Sequence, residues 1–234
     1  MKKILSMILV LCMALTLCSA AFAEGKSPVD GMTVAFIPKV SGNSFFEAAN
    51  DGAQKYAEKW GLTVDYIGAP TADVTTQLEL IQQAIDKGVD AICISAVDAT
   101  ALDEKLMEAQ AAGIYVSTWD SDVSPNARAL MVSQGTAAVL GPMLVEMGVE
   151  SLKERGVDVN GEVKYVWHFS NPSVADQNSW YVAGDEYIKN TYPNWVAVHD
   201  PYYSNQDPAQ SVSVGESIFE AYPDVDLIIC NDST

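Results

Sequence analysis

TVAFIPKVSGNSFFEAANDGAQKYAEKW, residues 33–60, holds a strand, a tight polar turn and a helix in succession. Thr33-Val34-Ala35-Phe36-Ile37 is an apolar run too short for a helix and rich in β-branched and aromatic residues, the composition of a strand covered on both faces. Pro38, which cannot donate to a sheet ladder, ends it. Lys39-Val40-Ser41-Gly42-Asn43 forms the turn. Ser44-x-x-Glu47 has the form of a capping box, and Phe45, Ala49, Ala53, Tyr56, Ala57 and Trp60 then recur at helical spacing, which predicts one apolar helix face. A strand feeding a helix in this way begins a βαβ unit, and in open parallel sheets ligands sit beyond the carboxyl ends of the strands. Lys39, Ser41, Asn43, Phe45 and Phe46 are therefore where a ligand would be met. Taken alone, the segment reads equally as a loop with a solvated lysine.

The alternation continues along the chain. Strands are expected at 62–67, 90–95, 114–118 and 129–133, with helices at 75–87, stopped by Gly88, and at 101–112, stopped by Gly113. That completes a small α/β lobe, assigned to residues 24–135. A second run begins with a helix at 136–155, then strand 163–169, helix 177–191, strand 195–200, helix 209–221 and strand 227–230. The fold class is thus α/β, two lobes of parallel sheet flanked by helices. The second lobe, residues 136–234, is expected to be truncated: at roughly 30 residues per βαβ unit, about 60 residues or more are needed to match the first. The sequence reads as a fragment on this count.

Residues 1–23 have the three parts of a secretory signal: Lys2 and Lys3, an apolar stretch over 4–17, and Ala21-Phe22-Ala23 before Glu24. The apolar part is too short for a membrane span. Cys18 suggests a lipoprotein anchor as the rival, but the bulky Leu17 before it fits that processing poorly, so cleavage is placed after Ala23. The chain is accordingly expected to be periplasmic, secreted or in the cell envelope. Cys93 and Cys230 remain, each in an apolar strand, and are expected to be buried free thiols rather than a disulfide framework. With 13 basic and 31 acidic residues, the formal charge is −18. Nucleic acid and anionic membrane surfaces, whose binding depends on neutralising phosphates with Lys and Arg, are excluded as expected partners.

The conspicuous polar residues follow strands. Trp119-Asp120-Ser121-Asp122 follows Thr118, a polar run from Ser170 to Asn178 follows Phe169, and Asn231-Asp232-Ser233 follows Cys230. All three lie on the ligand-competent edge. A carboxylate accepts hydrogen bonds from adjacent hydroxyls, amides donate and accept, and an aromatic ring covers the apolar face of a sugar. Other readings use the same residues. Asp120 and Asp122 are a weak calcium pair, lacking the extended spacing of a calcium loop. Asp120 and Asp176 could serve as a glycosidase acid and base. Asp176 could simply cap a helix beginning at Gln177, and Asp120 a turn. No G-x-S-x-G elbow, histidine-rich metal set or Gly-rich phosphate loop is found, so neither catalytic residues nor a cofactor is assigned. His168 is expected to be a packed histidine.

Several segments resemble one family: FIPK at 36–39, Phe45-Phe46, ISAVD at 94–98, TWDSD at 118–122, QGT at 134–136, LVEM at 144–147, DQNSW at 176–180 and AYPDVDLII at 221–229. Together they resemble type I periplasmic sugar-binding proteins of ABC importers, in the subgroup that binds rhamnose and autoinducer-2. The resemblance implies a two-lobed, non-enzymatic protein that closes on a small cyclic polyol and delivers it to a membrane permease, with a chemoreceptor or sensor kinase as an alternative reader of the closed form. By family position it implies contacts from Lys39, Asp120, Asp176, Gln177, Asn231 and Ser233, with Phe45, Phe46 and Trp180 as walls. Where autoinducer-2 binders carry Pro-Asp-Ala, this chain has Asn231-Asp232-Ser233. Main-chain contacts would survive that change, whereas side-chain bonds from Asn231 and Ser233 would suit another sugar.

Overall fold

The computed structural model describes residues 27–232. The signal-peptide reading, with Cys12 and Cys18, and the contact assigned to Ser233 lie outside the described residues. Strands β1 (Thr33–Ile37), β2 (Thr63–Tyr66), β3 (Ala91–Ile94), β4 (Tyr115–Trp119) and β5 (Leu130–Val132) form one sheet in the order β2-β1-β3-β4-β5, every pairing parallel. Helices α1 (Ser44–Trp60), α2 (Val74–Lys87) and α3 (Asp103–Ala111) connect them. Ile37, Ile81, Ile92, Ile94, Leu106 and Val116 lie fully buried in this lobe's core. The strand order reverses between β1 and β3, the switch point at which such sheets leave a crevice.

The second lobe comprises α4 (Ala137–Glu154), β6 (Val163–Phe169), α5 (Ala175–Thr191), β7 (Trp195–Ala197), β8 (Tyr202–Tyr203), α6 (Pro208–Ala221) and β9 (Leu227–Cys230). β6 is central. β7 and β9 both pair with Tyr165, and β8 and β9 both pair with His168, so β7 and β8 follow one another along one edge of β6 while β9 occupies the other. Of the strand expected over 195–200 only Trp195–Ala197 forms, as β7, and β8 is an additional short strand that begins just after Pro201, which has no N–H for the ladder.

Local chemistry moves several expected features. Asn43, not Ser44, caps α1, its side chain accepting from Phe45 N–H at 2.9 Å, while Glu47 accepts from Gly42 N–H at 2.8 Å. The expected apolar face of α1 is only partly covered: Phe46 and Ala57 are buried, Phe45 is exposed at the crevice end, and Tyr56 and Trp60 are exposed where α1 packs at the β2 edge of the sheet. Helix α3 starts two residues late, because the Asp98 carboxylate accepts from Thr100 and Ala101 N–H groups in a competing turn. Cys93 is partly buried, but Cys230 is exposed rather than a core thiol, lying on the strand that pairs with β6 on one side only.

Two features fix the frame around the crevice. Gln77, buried in α2, donates to Pro38 O at 3.0 Å and Ser95 O at 2.8 Å and accepts from Val97 N–H at 3.0 Å, tying together the chain beyond β1 and β3. Helices α4 and α5 meet at Gly141 and Gly184: a Cβ on Gly141 would stand 2.6 Å from Gly184 N and 2.7 Å from Trp180 O. Backbone atoms cannot step aside as a side chain can. Gly141→Ala is therefore expected to lower stability by about 1–3 kcal/mol despite alanine's better helix propensity. A urea-unfolding midpoint at or above that of the parent protein would contradict this close packing.

Candidate functional site

Lys39 leaves β1 directly after Pro38 and turns inward, only 3% exposed. Its Nζ lies 3.0 Å from Asp120 Oδ2 and 3.2 Å from Asp176 Oδ1, so one ammonium bridges the two lobes. Asp120 follows β4 in left-handed backbone, φ +61°, an uncommon state for a non-glycine residue that points the carboxylate back toward β1 and β3. Ser95 Oγ donates to its Oδ2 at 2.7 Å, and Gln134 Nε2 donates to its Oδ1. Asp176 sits in the first turn of α5, where the helix dipole favours a carboxylate, and accepts from Ser121 Oγ as well as from Lys39. It does not cap the helix, since Val174 holds that position.

Burial disfavours the Lys39 ammonium, but Asp176 and Asp120 outweigh it and hold the lysine pKa above its usual value. For Asp176, burial pushes the carboxyl upward; Lys39 opposes this and Asp120 reinforces it, with a net rise. One cation thus faces two carboxylates in a nearly dry setting. Asp122 does not join them: its carboxylate is held by Arg128, at 2.7 and 3.0 Å, and by Thr118 Oγ1 at 2.5 Å. The calcium pairing of Asp120 with Asp122 therefore finds no support in the geometry.

The cluster borders a cavity of about 300 Å³. Lys39, Phe45, Phe46 and Asp120 line it from the first lobe, and Asp176, Gln177, Trp180 and Asn231 from the second. Ser41 and Asn43 do not reach it; Asn43 spends its side chain on the α1 cap. Phe46 stands edge-on to Trp119, with ring centroids 5.7 Å apart, and Trp119 stacks on Phe36 at 4.6 Å, so the aromatic wall is anchored to β1 and β4. Leu140, Met143 and Leu144 of α4 extend the apolar lining. Gln177 Oε1 is engaged by Ser170 N–H at 2.9 Å, and its main-chain oxygen accepts from Asn231 Nδ2 at 2.7 Å. The NH₂ end of Gln177 is the part left for a ligand. Outside the wall, His168 is buried, and its ring is held below the usual histidine pKa by that burial, with Asp232 opposing.

Sequence reasoning named Ser121 only within the polar run after Thr118 and Gln134 only within the QGT segment, and it assigned no contact to either of them, to Ser95 or to Gln206. Gln134 and Gln206 line the cavity, and Ser95 and Ser121 hold its carboxylates. Position one or two residues beyond a strand was the available signal for Ser95, Ser121 and Gln134.

A family model described as "Periplasmic binding protein domain" matches residues 34–234. The chain belongs to this family. The LsrB protein from Clostridium saccharobutylicum, solved in complex with AI-2, is 57% identical, with a TM-score of 0.85 over 86% of this chain and 62% of that chain. An ABC transporter solute-binding protein from Clostridium phytofermentas, solved with bound L-rhamnose, is 25% identical, with a TM-score of 0.74 over 85% of this chain and 60% of that one. The D-ribose/D-allose-binding protein of Pseudomonas aeruginosa is 31% identical over 133 residues, 53% of this chain and 41% of that protein. The chain spans less than two thirds of the length of these relatives.

In this periplasmic binding protein domain the charge cluster makes a direct stability prediction. Lys39→Met leaves two buried carboxylates without their cation, a loss expected to cost roughly 3–5 kcal/mol at neutral pH. Burial already holds the Asp176 carboxyl above its usual pKa and Lys39 opposes that rise, so without the lysine Asp176 binds its proton more tightly when folded and the deficit should shrink as pH falls from 7 toward 4. Urea unfolding of both proteins at several pH values measures it; a deficit that grows on acidification would contradict the assignment.

Proposed function

We propose that this protein captures a small neutral cyclic polyol, of the autoinducer-2 or rhamnose type, between its two lobes and presents it to an ABC permease. The observation that carries this reading is the cavity between the lobes, walled by aromatic rings and bordered by Lys39, Asp120 and Asp176. One ammonium against two carboxylates gives a polar end biased toward hydroxyl donors and against anions. Phe45, Phe46 and Trp180 offer faces to the C–H side of a ring. The volume suits a small ligand, at the low end for small-molecule sites. In this reading the lobes divide at residues 135 and 136, residues 1–23 direct export, and capture proceeds by closure without turnover. Support comes from the relatives named for binding AI-2, rhamnose, ribose or allose.

Calorimetric titration with AI-2, L-rhamnose and D-ribose tests the reading. One of them is expected to bind with micromolar or tighter affinity, and Asp120→Ala to weaken it by about ten- to hundredfold. Unchanged affinity in that variant would remove Asp120 from the site. Hydrolysis of a glycoside by the purified protein would overturn the transport reading.

A further inference from the structure

Gln206 lies in the turn between β8 and α6 and lines the cavity, although no sequence motif marks it. Asn205 and Gln206 both hold left-handed backbone, φ +52° and +57°, a conformation that a long side chain rarely adopts. Neighbouring bonds pin the turn: Asn205 N–H donates to Ser170 O at 2.9 Å, Asp207 N–H donates to Ser204 O at 2.9 Å, and the Asp207 carboxylate caps α6 through Gln210 N–H at 3.0 Å. Gln206 is only 6% exposed, and its Oε1 is buried without a hydrogen-bond partner. Asn231 Oδ1, beyond β9 and also at the cavity wall, is likewise buried and unpartnered. Buried amide oxygens usually find a donor. Here two that lack one border the same cavity, and both come from the second lobe.

We propose that Gln206 is a specificity-determining ligand contact, its amide oxygen accepting, together with Asn231 Oδ1, hydrogen bonds from hydroxyls on the second-lobe side of a bound polyol. The strained turn delivers the side chain to the cavity, and the ligand supplies the donors that the protein withholds. A polyol with hydroxyls at this end satisfies both acceptors; an analogue presenting hydrogen or methyl there leaves buried oxygens unpaired and is rejected. This assignment rests on reading the cavity as the ligand site.

Gln206→Gly separates the roles, because glycine adopts the same positive φ without strain while removing the amide. Wild type and variant are titrated calorimetrically with AI-2, L-rhamnose and D-ribose, and their unliganded thermal midpoints are compared. The expected result is an unliganded midpoint within a few degrees of wild type together with a loss of about ten- to hundredfold in affinity for the ligand that wild type binds. Affinity within about twofold of wild type, at an unchanged midpoint, overturns the Gln206 assignment and leaves the cavity reading intact. Failure of wild type to bind any of the three probes overturns the cavity reading, and the Gln206 assignment falls with it.

Discussion

The contact on which the arrangement depends is the buried ammonium of Lys39 between Asp120 and Asp176. Burying three charges is expensive, and a pair is tolerated only where geometry and further hydrogen bonds replace the lost water. That replacement is present: Ser95 and Gln134 donate to Asp120, and Ser121 donates to Asp176. The partners come from both lobes, so the cluster is complete only when the lobes meet. A further cross-lobe bond runs from Ala99 N–H, in the segment after β3, to Ser173 O, in the segment before α5, at 3.0 Å. The charge cluster therefore joins the two lobes beside the cavity that they line together.

Much of this was legible in the sequence because parallel α/β sheets place their ligand edge at predictable points. Lys39 follows β1, Asp120 follows β4, Asp176 opens α5 and Asn231 follows β9; each could be read from a short apolar run ending in polar residues. The eight contacts that the family resemblance implies inside the described residues line one cavity. The family resemblance and the strand-end argument share Lys39, Phe45, Phe46, Asp120, Asp176, Gln177 and Asn231, whereas Ser41 and Asn43, named by the strand-end argument alone, do not reach the cavity.

What escaped has a common physical origin. Gln134 and Gln206 occupy irregular segments, where no periodicity indicates which way a side chain points. Gln77 looked like an ordinary helix residue, and only the fold brings Pro38 O, Ser95 O and Val97 N–H to its amide. The exposed Tyr56 and Trp60 show the opposite error: helical spacing predicts a face but not how much of that face the sheet edge covers. β8 was missed because two residues after a proline carry no alternation, although β6 has an open edge to receive them.

The cavity is lined by the Lys39, Asp120 and Asp176 cluster, by the amides of Gln206 and Asn231 and by the Asp232 carboxylate, and on the proposed reading the two lobes close around a single ligand held among them. Small-angle X-ray scattering with and without a saturating ligand, AI-2 or L-rhamnose, tests that claim most directly. The account predicts a smaller radius of gyration in the bound state, because the lobes close on the ligand and complete the Lys39, Asp120 and Asp176 cluster. Saturating binding with an unchanged radius of gyration would contradict it.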